Sequence, residues 1–228
     1  MSNSHLIIII PVFNEATVIR KVIGELINEG FSEIVIVDDG SSDNLQQVIS
    51  DLPATYIKHR INLGQGAALQ TGIEYCKATS AEIVVTFDAD GQHCAESIHD
   101  LIQPILQGHA DVTLGSRFLS ETANELPVSR LILIQVARFV NFLLFGYLFS
   151  DAHNGLRAFN RKAIDLINIT ENRMAHASEF PAQIKQNKLR VTEVPVKVKY
   201  DQYSKKKGQS GFDSVRVFFD LVLHKFFK

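Results

Sequence analysis

The chain has 228 residues, 46% of them hydrophobic, with 15 Phe, no Trp and a formal net charge of −2. That length suits one large domain, or one domain with a tail, and that composition supports a buried core. The near-neutral total gives no sign of a nucleic-acid partner, but the charge is uneven: from Pro181 onward 11 Lys/Arg face 4 Asp/Glu, leaving the tail at +7 and the remainder at −9. A basic tail points to an anionic partner such as a phosphate or a membrane surface. Two cysteines, Cys76 and Cys94, lack metal-ligand spacing and fit a reducing cytosol.

In chain order, Leu6 to Val12 reads as a first core strand rather than a signal peptide, since no basic region or cleavage site accompanies it. It ends at Pro11-Val12-Phe13-Asn14-Glu15. A helix follows from about Glu15 to Asn28, with Val18, Ile19, Val22, Ile23, Leu26 and Ile27 at helical spacing, and Gly30 stops it. Glu33 to Val37 is the second strand and runs into Asp38-Asp39-Gly40-Ser41-Ser42-Asp43, where Asp43 is placed to cap a second helix through Ile49. Ala54 to Lys58 is the third strand and leads through Asn62-Leu63-Gly64-Gln65-Gly66 into a third helix. The fourth, Glu82-Ile83-Val84-Val85, delivers Asp88-Ala89-Asp90-Gly91-Gln92-His93, after which Ala95 to Leu106 is helical. The fifth, Ala110 to Leu114, ends at Gly115-Ser116-Arg117-Phe118.

This alternation predicts an α/β domain with a mainly parallel sheet, whose ligands bind beyond the carboxyl ends of the strands. Those ends hold Asn14/Glu15, Asp38/Asp39, Asn62/Gly64, Asp88/Asp90 and Arg117. Alone, Asp88-Ala89-Asp90 could be a solvated acidic turn. Beside four other polar strand ends, the two carboxylates read as the metal end of a diphosphate site, because close like charges need a cation to neutralise them. No Gly-x-Gly-x-x-Gly follows the first strand and no P-loop occurs, which disfavours a dinucleotide-binding dehydrogenase and a P-loop enzyme. An Asp-x-Asp phosphatase would carry its nucleophile after the first strand. A nucleotide-sugar transferase is the best physical fit.

After residue 120 the rhythm breaks. Leu126 to Phe149 is strongly apolar, with Arg130, Gln135, Arg138 and Asn141 in one arc of a helical wheel. Its longest uncharged run is short of the roughly 18 residues a bilayer span needs, so it is either a helix on a membrane surface or an amphipathic core helix. Asp151 to Phe159 is a turn entering a short strand, followed by helices near Arg161–Ile167 and Ala175–Gln186. Leu189 to Tyr200 alternates as a strand. The polar, basic stretch 200–211 reads as a phosphate-gripping loop or a solvated linker. Phe212 to Lys228 forms an amphipathic helix that packs on the domain, on a partner or on lipid. The expected organisation is a catalytic domain over 1–211 and a helical tail over 212–228.

The ordered set Ile10-Pro11-Val12-Phe13-Asn14-Glu15, Val37-Asp38-Asp39-Gly40-Ser41-Ser42-Asp43, Asn62-Leu63-Gly64-Gln65-Gly66, Asp88-Ala89-Asp90-Gly91-Gln92-His93 and Gly115-Ser116-Arg117-Phe118 resembles the family 2 glycosyltransferases of GT-A fold. Within them it is most similar to polyprenol-phosphate sugar transferases of the dolichol-phosphate mannose synthase type. Asp151 with Gly155 and Phe159, Glu193-Val194-Pro195 and Gly208-Gln209-Ser210 extend the likeness along essentially the whole chain.

The resemblance implies a metal-dependent, inverting transferase that moves a sugar from a nucleotide-diphosphate donor to a polyprenyl phosphate. Pro11, Val12, Asn14 and Glu15 would line the nucleotide pocket, with Asp38 and Asp39 on the base or ribose and Asn62, Gly64, Gln65 and Ala89 nearby. Asp88, Asp90 and Gln92 match the metal-binding triplet, for Mg²⁺ or Mn²⁺. Arg117 and Arg130 would meet the acceptor phosphate, while Lys207 and Ser210 fall in the loop closing over the donor. That loop carries Tyr203-Ser204-Lys205-Lys206-Lys207 where relatives have a shorter stretch with an arginine, so the group gripping the diphosphate is open among Lys199, Lys205, Lys206 and Lys207.

The chain stops at Lys228 without the transmembrane helices many relatives have. Either its amphipathic segments reach the membrane or a small membrane protein recruits it. The expected location is cytoplasmic, peripheral on the inner face of the cytoplasmic membrane; the oligomeric state stays open, a homo-oligomer included. A phosphate acceptor needs no general base, and Glu179, His153 and His176, the candidates for one, read as structural, as does His93. The alternatives are a transferase extending a lipid-linked or cell-surface polysaccharide at a sugar hydroxyl, and a catalytically silent GT-A binding module.

Overall fold

The computed structural model describes residues 5–119, 142, 149–151, 154–172 and 176–199. Strands β1 (Leu6–Val12), β2 (Ile34–Asp38), β3 (Thr55–Lys58), β4 (Ile83–Thr86), β5 (Val112–Ser116), β6 (Arg157–Asn160) and β7 (Val191–Pro195) form one sheet. Its order is β3-β2-β1-β4-β6-β5-β7. The helices are α1 (Ile19–Asn28), α2 (Leu45–Ile49), α3 (Gln65–Lys77), α4 (Ser97–Leu106), α5 (Arg161–Leu166) and α6 (His176–Gln186).

The period-two pattern of the strands explains the layering. On β1, Ile8, Ile10 and Val12 face a core shared with Ile19, Val22, Ile23 and Leu26 of α1, Leu45 and Ile49 of α2, and Ile98, Leu101 and Ile105 of α4. Ile7 and Ile9 face the opposite core, with Ala68, Leu69 and Ile73 of α3, Ala163 and Ile164 of α5, and Phe180 and Ile184 of α6. A strand buried on both faces must be apolar throughout, as Leu6-Ile7-Ile8-Ile9-Ile10 is. Each such buried side chain contributes about 1.5–3 kcal/mol through removal from water.

The mainly parallel α/β sheet expected from the sequence is present. One strand departs from it: β6 runs antiparallel to both β4 and β5. Strand direction is not written in hydropathy, so the short run after Asp151 showed a strand without its sense. Helix starts differ as well, α4 beginning at Ser97 rather than Ala95. α1 begins at Ile19 rather than Glu15, because Asn14 takes a positive φ of 56° and the chain makes a turn at Glu15 before the helix. The cap position of α2 is Asn44, without a side-chain bond, but Asp43 Oδ1 accepts from Leu45 N, the first helical amide, at 3.3 Å. Asp43 Oδ2 also accepts from Ala16 N at 2.9 Å, joining the loops after β1 and β2. The segment 126–149, apart from Phe142 and Phe149, and the whole of 200–228 lie outside the described residues.

β1, β2, β3 and β4 share one sense, and β5 and β7 run the same way because β6 is antiparallel to both β4 and β5, so the strand ends carrying the polar clusters lie along one edge of the sheet. The order reverses at β1, between β2 and β4, and a crevice opens beyond the strands at such a point.

Candidate active site

The β1–β3 side of this edge is built by backbone capture. Asn14 N donates to Ser41 Oγ at 3.0 Å and Ser42 N donates to Asn14 Oδ1 at 2.9 Å, so the first two loops are zipped together. Asp38 is fully buried. Its carboxylate accepts from Ser41 N at 2.7 Å and Tyr56 OH at 2.5 Å, and Lys58 Nζ lies at 3.4 Å. Burial opposes its charge, but the bonds from Ser41 and Tyr56 outweigh burial and hold the carboxyl below its ordinary range. With no exposed surface, Asp38 braces the loop in this structure.

Asp39 is 2% exposed and accepts from Leu63 N at 2.9 Å, Gly64 N at 2.7 Å and His59 Nδ1 at 2.8 Å. It therefore sets the Asn62–Gln65 loop. Gly40 lets that loop close over it: its φ is +73°, and a Cβ there would lie 2.6 Å from the Ile61 carbonyl carbon. Pro11 and Val12 are buried at the end of β1, Glu15 is nearly so, and Asn62 is exposed at the rim.

The β4 side carries the two acids. Thr86 Oγ1 donates to the Gly155 carbonyl at 2.7 Å, fixing the next loop against β4. Asp88 Oδ1 accepts from Gln65 Nε2 at 3.0 Å, and Asp88 Oδ2 lies 3.1 Å from His93 Nε2. A Cβ on Gly155 would sit 2.1 Å from that same Oδ2, so Gly155 is the space the carboxylate occupies. Asp90 Oδ1 accepts from Gln92 N at 2.9 Å. Burial pushes the Asp90 carboxyl above its ordinary range, and the charges of Asp88 and Glu15 add to that push.

His93, read from the sequence as structural, is buried with its ring edge-on to Phe87 at 5.5 Å and orients Asp88. The segment leading into 200–211 is stitched to this loop. Lys199 N donates to the Gln92 carbonyl at 2.7 Å, Val198 bridges His93, and Val196 N donates to the Ser116 carbonyl at 3.0 Å. Lys199 Nζ reaches Glu25 at 3.1 Å.

The third arm is cationic. Arg117, following β5, donates from Nε to Asp151 Oδ2 at 2.7 Å and from Nη2 to Oδ1 at 2.8 Å, a bidentate fork that fixes its plane. Burial opposes charge on Asp151, yet Arg117 holds its carboxyl below the ordinary range. Glu193 of β7 accepts from Ser150 N and Ser150 Oγ, both at 2.7 Å, and from Asp151 N at 3.2 Å, so the arm is supported from behind.

Glu179, the carboxylate considered as a general base, accepts from Thr170 N, Thr170 Oγ1 and Glu171 N. Burial opposes its charge, but these bonds keep the carboxyl low and leave it a loop anchor. Arg130, His153, Lys205, Lys206, Lys207 and Ser210 lie outside the described residues, as does the side chain of His176.

The donor set fits a hard divalent cation. Asp88 and Asp90 offer carboxylate oxygens just after β4 and Gln92 carries an amide two residues on, the oxygen donors that Mg²⁺ or Mn²⁺ takes. Among the described residues no group of three or more His, Cys, Asp or Glu could hold a metal. The other positions of a bound ion would thus have to come from a ligand or from water, as is usual where Mg²⁺ meets phosphates.

A family model described as Glycosyl transferase family 2 matches residues 7–167. The chain belongs to that family. Among relatives, it is 33% identical to the UDP-N-acetylglucosamine–dolichyl-phosphate N-acetylglucosaminyltransferase of Methanococcus voltae, over 99% of this chain and 98% of that one. It is 28% identical to the polyprenol monophosphomannose synthase of Mycolicibacterium smegmatis, over 72% of this chain and 64% of that one. Among solved structures, glucosyl-3-phosphoglycerate synthase from Mycobacterium tuberculosis, in complex with Mg²⁺ and UDP, superposes with a TM-score of 0.67 at 17% identity. That match covers 98% of this chain and 79% of the other, and it shows the fold.

For a family 2 glycosyltransferase, sequence reasoning passed over three contributors: His93 as the orienter of Asp88, Gly155 as its seat, and Arg157 behind both. One signal was available for Arg157. It interrupts the apolar run Leu156-Arg157-Ala158-Phe159, and a charge inside a buried strand needs a partner.

Proposed function

We propose that this glycosyltransferase moves a sugar from a nucleoside-diphosphate sugar to a polyprenyl phosphate at the inner face of the cytoplasmic membrane. The reading is carried by one observation: the acidic pair Asp88/Asp90 and the Asp151-braced Arg117 stand at strand ends on the same edge of the sheet. The match to the M. voltae dolichyl-phosphate transferase, nearly end to end in both chains, supports the acceptor class.

In this reading Pro11, Val12, Asn14, Glu15, Asn62, Gly64, Gln65 and Ala89 surround the donor, with Asp39 setting the loop that closes on it. A Mg²⁺ or Mn²⁺ held by Asp88, Asp90 and Gln92 would neutralise charge on the departing diphosphate. Arg117 and Arg130 orient the acceptor phosphate, while Lys207 and Ser210 close over the donor. An acceptor phosphate oxygen forms the new bond to the anomeric carbon as the sugar–diphosphate bond breaks. The nucleoside diphosphate leaves with the electron pair and the configuration inverts. That oxygen is already ionised near neutral pH, so no base is required. Among the described residues no helix is long and apolar enough to cross a membrane, and the basic tail is the proposed means of staying at its surface.

The test is transfer of labelled sugar from a panel of UDP-, GDP- and dTDP-sugars to dolichyl or undecaprenyl phosphate in vesicles, with Mn²⁺ and with chelator. Metal-dependent lipid-linked product is expected. Product only on a preassembled glycan hydroxyl would replace the acceptor assignment. An absence of both turnover and metal-dependent nucleotide binding would leave a silent binding module.

A further inference from the structure

Arg157 is a charge sealed inside the sheet. It is 3% exposed and pairs with Thr86 of β4 across the ladder. Its Nε donates to the Asn154 carbonyl at 3.0 Å, and its guanidinium lies 4.3 Å over the ring of Phe180. Asn154 and Gly155, just before it, hold Asp151 and Asp88. Asn154 Nδ2 donates to Asp151 Oδ2 at 3.2 Å, and Gly155 is the surface on which the Asp88 carboxylate rests. Burial pulls the Arg157 pKa down to about 10, and the carboxylates of Asp88 and Asp151 act against that fall. It is therefore a cation at neutral pH, and it is too deeply buried to touch a ligand.

The distribution of charge gives this position a consequence. Asp151 already has the Arg117 fork. Asp88 and Asp90 form a negative pair, and the positive charge of Arg157 acts on Asp88 from two residues beyond its Gly155 seat. A bare divalent cation is repelled by that charge. A cation already carried on a nucleoside diphosphate arrives with net negative charge and is attracted by it. We propose that Arg157 is a positioning residue that makes the Asp88/Asp90 pair take a divalent cation as its nucleoside-diphosphate complex in preference to the bare ion. The proposal rests on the donor reading above for the diphosphate.

Paramagnetic-resonance titrations with Mn²⁺ alone and with Mn²⁺–UDP test it on the wild type, Arg157→Met and Arg157→Lys. With the charge removed, Arg157→Met should bind bare Mn²⁺ about tenfold more tightly and Mn²⁺–UDP about threefold more weakly, since a Coulomb energy scales with ligand charge, +2 against about −1. Arg157→Lys should keep the wild-type ratio of the two affinities. A merely structural role would weaken both ligands in parallel. That outcome, or an unchanged ratio with wild-type binding intact, overturns the preference while leaving the donor reading standing.

A second measurement does not need Arg157→Met to fold: urea unfolding of Asp88→Asn and Asp90→Asn without metal. If Arg157 leans on Asp88, Asp88→Asn strands a buried cation and lowers the midpoint. Asp90→Asn relieves a buried, repelled carboxylate and raises it. Shifts of the same sign would overturn the pairing. Failure of the wild type to bind Mn²⁺ alone or as its complex with UDP, GDP or dTDP would sink the donor reading and the preference together, with the urea signs still deciding whether Arg157 pairs with Asp88.

Discussion

At the scale of single residues, Asp88 is positioned from three directions: the Gln65 amide, the His93 imidazole and the Gly155 backbone. The last contact leaves no freedom, since backbone cannot swing aside as a side chain can. Gly155→Ala would place a methyl 2.1 Å from Asp88 Oδ2 and force the carboxylate off its seat. Transfer should fall by about 10- to 100-fold, the scale of a misplaced catalytic group, with circular dichroism unchanged; an Ala variant of full activity would mean Asp88 is not needed in this place. None of this was legible in the sequence. Asp88-Ala89-Asp90 showed that two acids end a strand, but their seat comes from residue 155, which only the β4–β6 pairing brings alongside.

At the scale of elements, the far end of the sheet is joined by one carboxylate. Asp111, entering β5, accepts from Arg190 Nη2 at 2.8 Å and from Asn160 Nδ2 at 3.0 Å, and Lys162 Nζ lies at 3.3 Å. It thereby links β5, β6, α5 and the start of β7. The Arg190 bond is the main cause of a carboxyl held well below its usual range, against the opposing effect of burial. A folded-state pKa below the unfolded value of about 3.9 stabilises at higher pH, and that stability is lost as pH falls through the folded pKa. Urea unfolding should therefore show wild-type stability falling below about pH 4. Asp111→Asn should lose about 1–3 kcal/mol at pH 7 and show a flatter acid limb, its partners being largely exposed. Identical acid limbs would remove Asp111 from the account. On the opposite flank, Leu26 of α1 is fully buried against β1 and β2. Leu26→Ala should cost about 2–5 kcal/mol in urea unfolding while leaving kcat near wild type below the new melting temperature.

At the scale of the whole molecule, ligand and stability are linked. Mn²⁺ with the nucleoside diphosphate of its donor should raise the melting temperature of this glycosyltransferase. At a ligand concentration a hundred times its Kd the gain is about 2.7 kcal/mol. Chelator should reverse it and Asp88→Ala should abolish it, whereas a shift that survives either treatment would place the nucleotide elsewhere. The basic tail supplies a second whole-chain expectation. Replacing Lys205, Lys206 and Lys207 with Glu should weaken sedimentation with anionic vesicles, at roughly 1 kcal/mol per basic residue near the surface. Unchanged sedimentation would remove the tail as the membrane contact.

The amino-acid sequence by itself determined the strand–helix rhythm, the edge on which polar loops gather, and the order of motifs that marks family 2. These follow from local periodicity and turn chemistry, which need no knowledge of distant neighbours. Tertiary structure alone decided the antiparallel sense of β6, the withdrawal of Asp38 into loop bracing, and the forked contact of Arg117 with Asp151. It also decided that Arg157 would lie buried two residues beyond the seat of Asp88. Each depends on a pairing between segments far apart in the chain, and a buried charge or a carboxylate's seat takes its meaning from what folding places against it.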